Sequence, residues 1–423
     1  MSRLRRALAL TLTFLLAFGT TAGALVYTRL QGNIDRHDLG DLLGTDRPAD
    51  PAPTQSPDTA DPNAGQTLNL LFLGSDSRDG ENADVGGYGE FEGMRADTTL
   101  LVQIPADRSS LTVVSIPRDT LVDIPSCTRP DGTTSAPQSQ AMFNSAFSTG
   151  SANTSLPHGA ACTIRTVEAL TGVLIDDFVV VDFAGFIGLI DALDGVPMDV
   201  EEPISDVDAG LELTAGCQIL HGHDALGYAR VRKTVGDGSD ISRIGRQQEL
   251  LMAIIRDVLS SRVLTDPVRL YQVADAATQT ITTGQLIGSL PQIVGLAASM
   301  KDVNLDEIAF ITMPFDWAGA RVVPNARYSA MVWEALRQGQ PVDPRLTGAG
   351  WEISEQIAAD EAAAAEAAAN EAATDAEQDG STETPDAGEP TPETPTTDDT
   401  QVTIPPSDAP VEAPSCTRET ASG

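Results

Sequence analysis

The chain has 423 residues, 41% of them hydrophobic, enough apolar side chain for one large core or two small ones. Its formal net charge is -35, from 26 Lys and Arg against 61 Asp and Glu. A field of that sign repels phosphate backbones, which excludes generic nucleic-acid binding. The four cysteines show no C-x-x-C spacing, which argues against a structural zinc site.

In chain order, Arg3, Arg5 and Arg6 precede an uncharged run from Ala7 to Tyr27. About 20 apolar residues cross a bilayer as a helix. Positive charge before the run favours leaving residues 1–6 in the cytoplasm and everything after it outside. The competing reading is a cleaved signal peptide with a small-residue site at Thr21-Ala22-Gly23-Ala24. The run exceeds the ~7–15 residues of such a segment, which favours a signal anchor over 7–27. Either way the body faces an oxidising compartment, where disulfides persist. Cys127 and Cys162 bracket a Gly/Ser/Thr/Pro-rich loop and are expected to pair. Cys217 and Cys416 are left over, and the pairing of Cys416 stays open because it lies far down a tail.

Residues 28–67 mix Pro, Asp, Thr and Gly without apolar periodicity and read as a flexible spacer. Strands are expected at Leu68–Leu73, Thr98–Ile104, Leu111–Ile116, Phe178–Phe183 and Ile308–Met313. Helices are expected at Thr163–Thr171, Ala184–Leu193, Ile241–Val263, Pro267–Ala277 and Gln285–Met300. The alternation implies a layered α/β domain over 68–345, with a mixed sheet because the first strands follow one another directly. Residues 346–423 are acidic and rich in Ala, Thr and Pro, with Arg418 as their single base. They read as a disordered tail.

Basic residues are scarce, so their concentration is informative. Arg230 and Arg232 share a face if Ala229–Lys233 is extended. Asp240, Arg243 and Gln247 open the next helix, a favourable place for anions. Guanidinium forks match phosphate oxygens. A second cluster comprises Asp76 after the first strand, Asp97 before the next, and Arg118-Asp119 after the third. Carboxylates at strand ends suit Mg²⁺, which takes a few carboxylates with waters and phosphate oxygens.

The ordered motifs LNLLFLGSDSR, RADTTLLVQI, VVSIPRDT, FNSAF, VVVDFAGFIGLIDALDGV, LTAGCQILHGHDALGYARVRK and DGSDISRIGRQQELL resemble the LytR-CpsA-Psr family, strongly from Leu68 to Val263 and more weakly to about residue 340. The cysteines and the insert around Asn82–Gly93 resemble its actinobacterial branch. The resemblance implies a three-layer α/β/α domain outside one transmembrane helix. It also implies a Mg²⁺- or Mn²⁺-dependent phosphotransferase at the cell membrane. The donor would be a glycopolymer on polyprenyl diphosphate, the acceptor peptidoglycan, and arabinogalactan the polymer suggested by the actinobacterial character. Residue by residue, Asp76 and Asp97 match metal-associated aspartates. Arg118, Arg230, Arg232, Arg243 and Gln247 match diphosphate-binding residues, and Asp240 an aspartate that orients them. Asp97 or Asp119 would take the acceptor proton, with Arg118 and Arg243 stabilising the charge that builds. Met142 departs from the family's frequent lysine before the Phe143-Asn144 pair. The rival readings are a non-catalytic glycan-binding anchor and a membrane-bound regulator.

Overall fold

The structure is a computed structural model. It describes residues 2–49, 63–76, 94–207, 209–231, 239–259, 265–300 and 305–379, then 416–421 and the single residues 263 and 303. Helix α1 (Ser2–Asn33) is followed by β1 (Asp35–Arg36) and the short α2 (Gly40–Leu43). Three strands follow, β2 (Leu68–Ser75), β3 (Ala96–Ile104) and β4 (Leu111–Ser115), then the pair β5 (Leu121–Ile124) and β6 (Gln138–Met142). Helices α3 (Ser145–Ser151) and α4 (Leu156–Thr171) lead to β7 (Asp177–Asp182) and α5 (Phe183–Ala192). Four short strands, β8 (Val196–Val200), β9 (Ile204–Asp206), β10 (Leu211–Leu213) and β11 (Gly216–Leu220), precede α6 (Gly222–Arg230) and α7 (Asp240–Val258). The chain continues through a helix Pro267–Gln279, β12 (Ile281–Thr283) and a helix Leu290–Ser299. Last come β13 (Ile308–Thr312), the hairpin β14 (Phe315–Ala318) and β15 (Arg321–Pro324), and helices Tyr328–Arg337, Gly350–Asp379 and Arg418–Ala421.

The central sheet is mixed and seven-stranded, in the order β1-β12-β7-β2-β3-β4-β13. β2 lies parallel to β7 and antiparallel to β3, and β13 lies parallel to β4. Both faces of β2 are covered, which is why its sequence is an apolar run rather than an alternation. Leu68 and Leu70 pack with Val102, Val113, Val179 and Leu296 on one face. Leu71 and Leu73 are buried on the other, where Gln103 Nε2 donates to Asn69 Oδ1 at 2.8 Å and to Leu336 O at 2.7 Å. Those bonds satisfy a buried polar pair and fix the Tyr328–Arg337 helix on that face. A second cluster gathers β8–β11 with α5, α6 and α7 around Leu193, Val196, Tyr228 and Leu250.

All five expected strands are present. The helices α4, α7 and Leu290–Ser299 differ at their ends from the expected limits. α4 begins at Leu156, ahead of Thr163, because its first turns are Gly159, Ala160 and Ala161 and carry no apolar pattern. Those small residues permit close packing: a Cβ on Gly150 would meet His158 O at 2.3 Å and Cys162 Cβ at 2.5 Å. Cys162 is joined there to Cys127, and Cys217 is joined to Cys416.

Two boundaries need correction. Residues 28–67 do not begin as a free spacer: α1 runs to Asn33, Leu30 and Ile34 are buried, β1 joins the sheet, and Arg47 pairs with Glu168 at 2.5 Å. Residues 346–423 are not a tail throughout. Leu346, Ala349 and Ile353 are buried, and a helix continues to Asp379. Cys416–Gly423 groups with the first compact unit, Met1–Ile353, whereas Ser354–Ser415 forms a second. Arg418 explains the return: it pairs with Asp257 at 2.7 Å and donates to Leu193 O and Asp194 O behind α5. Helix residues Leu8–Asn33 are long and apolar enough to cross a membrane.

Candidate active site

Strand and helix ends converge at one edge of the sheet. The register of β2 against β3 shifts between Gly74, opposite Thr98, and Ser75, opposite Ala96, so Asp97 is the extra residue of a bulge. Such bulges re-aim side chains beside functional sites. Asp76 follows directly, its Oδ1 accepting from Arg95 N–H at 2.6 Å. Arg118 follows β4 and donates from Nη1 to Asp97 Oδ1 at 2.8 Å.

α7 opens on Ser239, whose hydroxyl accepts from Ser242 N–H at 3.3 Å. This N-cap places Asp240 in the first turn, buried between two arginines. Its carboxylate accepts from Arg118 N–H at 3.1 Å and lies 2.6 Å from Arg243 Nη2 and 3.3 Å from Arg118 Nε. Arg243 is 4% exposed; Nη2 also donates to Asp97 O at 2.8 Å, while Nε is buried without an acceptor. One turn on, Gln247 Nε2 donates to Ala229 O at 3.0 Å. Asp119 lies at the margin, 4.0 Å from Arg118 Nε.

These charges set the titration of the carboxylates. Burial works to raise Asp97, but the guanidiniums of Arg118 and Arg243 and the Arg118 hydrogen bond outweigh it and hold the carboxyl below its usual range. Asp76 is pushed up instead, first by burial and then by the Asp97 charge, against the opposing Arg95 amide.

A cavity of about 470 Å³ opens beside this cluster. Asp76, Asp97, Arg118, Arg230, Arg243 and Gln247 line its charged end. Its walls are Phe72, Leu100, Phe183, Phe186, Leu250 and Ile254, from the sheet, α5 and α7. α7 runs along it, with Arg243, Gln247, Leu250, Leu251 and Ile254 on one helical face over roughly 16 Å.

The expected arrangement holds in part. Ala229 and Arg230 are not extended: Arg230 ends α6, with its guanidinium 4.7 Å from the Phe183 ring, and Arg232 and Lys233 lie outside the described residues. The condition that would put Arg230 and Arg232 on one face of a strand is therefore not met at Ala229 and Arg230. The insert around Asn82–Gly93 also lies outside the described residues, and Met142 closes β6 away from the cavity lining. Sequence reasoning missed Asn144 as a site residue. It is 4% exposed, its amide bonds the Asp97 carboxylate, and its N–H donates to Arg118 O at 3.1 Å. The one available signal was a polar residue between buried phenylalanines in FNSAF.

Fold and site together define a mixed-sheet α/β domain whose apolar cavity ends in paired arginines and aspartates. The chain belongs to the LytR_cpsA_psr family, whose model matches residues 27–340. The cell wall biosynthesis protein LcpA of Corynebacterium glutamicum is 31% identical over 267 residues, 59% of this chain and 50% of that protein. TagV of Bacillus subtilis, a polyisoprenyl-teichoic acid–peptidoglycan teichoic acid transferase, is 31% identical over 221 residues, 51% of this chain and 49% of that one. The matches thus span about half the length of these relatives. The protein gbs0355 of Streptococcus agalactiae has the same fold, at TM-score 0.51 and 20% identity, covering 64% of this chain and 87% of that one.

Proposed function

We propose that this chain is a membrane-anchored phosphotransferase that moves a glycopolymer from a polyprenyl-diphosphate carrier to peptidoglycan. The observation that carries the reading is one cavity with an apolar wall and a guanidinium-lined end, the two chemistries of a lipid diphosphate. The transferase reaction for which TagV is named supports the reaction class, and the name of LcpA supports the cell-wall context. α1 is read as the single membrane span, with the domain on the outer side.

In this reading an acceptor hydroxyl attacks the glycan-proximal phosphorus. A new phosphorus–oxygen bond forms, the bond to the bridging oxygen breaks, and polyprenyl phosphate leaves with that oxygen. Arg118, Arg230, Arg243 and Gln247 hold the diphosphate and stabilise charge on its oxygens. Arg232, next in the chain, is proposed to join them. Asp240 locks Arg118 and Arg243 in place. Of the two carboxylates considered as proton acceptor, Asp97 lines the cavity and Asp119 does not.

Arg118 and Arg243 already face Asp97 and Asp240, so the described cluster holds little surplus positive charge. Asp76 and Asp97 fit a divalent cation, because the neighbouring Asp97 charge raises the cost of ionising Asp76 and a bound cation would offset it. Among the described residues no third His, Cys, Asp or Glu joins them. Mg²⁺ or Mn²⁺ held there would supply Lewis-acid neutralisation of the phosphates, its other positions being open to water and substrate oxygens.

The test is purified full chain in vesicles with a defined lipid-linked donor and a peptidoglycan acceptor. Metal-dependent release of polyprenyl phosphate with joined glycan is expected. Glycan binding without release would make the chain an anchor instead, and neither binding nor release would leave the regulator reading.

A further inference from the structure

Two of the domain's large exposed apolar side chains project from different sides of the first turn of the helix Pro267–Gln279. Val268 is 66% exposed and Leu270 is 43% exposed. The turn is well formed, because Asp266 Oδ1 accepts from Val268 N–H at 2.9 Å and Arg269 N–H at 3.3 Å.

Its height beside α1 follows from a ladder of contacts. Arg29 donates to both oxygens of Asp275, at 2.9 and 3.0 Å, with Tyr271 beside the same guanidinium. One turn on, Asn33 Nδ2 donates to Asp275 Oδ1 and to Thr278 Oγ1, at 2.9 and 3.1 Å. Asp35 and Arg36 then pair in parallel with Thr282 and Thr283. The partner advances as α1 advances, at an offset near 246 positions. The two helices therefore run side by side in the same direction. Followed back along both, that offset sets Val268 and Leu270 level with Ala22 to Ala24, inside the uncharged run that ends at Tyr27. At 1.5 Å per residue, Val268 lies roughly 7 Å below the end of that run. Helices lying along a membrane bury their apolar residues to ~5–10 Å, and the end of this upright helix reaches a comparable depth.

We propose that this turn is a membrane-insertion site: Val268 and Leu270 enter the leaflet from which α1 emerges, and Arg269 meets its phosphates. Arg269 suits that level, since a long basic side chain buries its stem and keeps its charge at the headgroups. The inference rests on the reading of α1 as a membrane span and is independent of the transfer chemistry. With the span and the turn both in the bilayer, and Arg29 and Asn33 clamping α1 to the helix, the domain is held at a fixed angle to the membrane rather than swinging on a tether.

The test uses the full chain in vesicles of phosphatidylcholine and phosphatidylglycerol that contain lipid brominated along the acyl chain. Tryptophan is introduced singly as Val268→Trp, Leu270→Trp, Gln279→Trp and Phe14→Trp, and the emission of native Trp317, Trp333 and Trp351 is subtracted using the unsubstituted chain. Gln279 is exposed on the same helix but level with Asn33, above the bilayer. Quenching of tryptophan at 268 and 270 is expected to be at least roughly twofold stronger than at 279, given the interfacial depth above. Equal quenching at 268, 270 and 279, with strong quenching at 14, overturns the proposal and leaves the anchor standing. No quenching at 14 removes the span and the proposal with it, while transfer remains testable in detergent. A blue shift at 268 without quenching assigns the turn to a second copy of the chain and also overturns it.

Discussion

Asp240 and Arg243 are one turn apart on α7, and their side chains are 6% and 5% exposed. Removing one member of so buried a pair strands the other charge, at a cost of about 3–5 kcal/mol. Arg243→Ala is therefore expected to lower the melting temperature as well as abolish transfer, and a thermal melt beside the activity assay separates the two losses. Arg230 is the cleaner probe. It stacks on Phe183, a contact worth ~0.5–1 kcal/mol, while lining the charged end of the cavity. Arg230→Ala should reduce turnover ~10²–10³-fold with little change in melting, and lysine should rescue poorly because it lacks the fork. The two carboxylates proposed to hold the metal, Asp76 and Asp97, should respond to pH in opposite senses in chelator-treated protein. Asp76 has a raised folded-state pKa, so its ionisation disfavours the fold as pH climbs from the unfolded value through the folded one. Asp76→Asn should then raise the melting temperature at neutral pH, a gain that disappears below the unfolded-state value. Asp97 has a lowered pKa, so its contribution is present above the unfolded value and lost as pH falls through the folded one. Asp97→Asn should accordingly destabilise at neutral pH. Melting curves across pH check both signs. Asp76, Asp97 and Arg118 were legible in the sequence because they flank the apolar strand runs, and Asp240 and Arg243 because they belong to a basic cluster in an arginine-poor chain. The bulge at Asp97 and the bond from Asn144 were not, since both depend on which chains lie opposite in space.

Among the elements, the long buried strands were legible from apolar runs alone. α6 and the first turns of α4 were not, because Gly, Ala and Cys carry no hydrophobic period. β8–β11 were missed for a different reason: each is three to five residues long, too short for alternation to register. The least expected element is the helix Arg418–Ala421. Arg418 satisfies carbonyls left open at the end of α5 and neutralises Asp257, whose side chain is 6% exposed. Arg418→Ala should lower stability by about 3 kcal/mol, at the low end for breaking a buried pair because the arginine is partly exposed. The expected readout is a lower denaturant midpoint with an unchanged slope.

For the whole molecule, composition located the apolar run and the acidic segment but not the packed residues in the presumed spacer and tail beside them. Low apolar content in residues 28–67 hid Leu30, Ile34 and Leu43, and the acidity after residue 345 hid Leu346, Ala349 and Ile353. Truncation after residue 345 would strip those three side chains and the Arg418 contacts together, so it should melt well below the intact chain. Excision of residues 380–410 alone, with both anchors kept, is expected to leave melting and turnover unchanged. A circular dichroism melt of the two deletions distinguishes these outcomes.

The bond between Cys217 and Cys416 has a topological consequence. It closes 199 positions of the chain into a covalent ring that includes α6, α7 and the whole acidic segment. A protease cutting anywhere between residues 354 and 415 opens that ring without detaching either part. The nicked protein should migrate as one species on a non-reducing gel and separate into two after a thiol is added. A cut after residue 416 lies outside the ring and sheds its peptide directly.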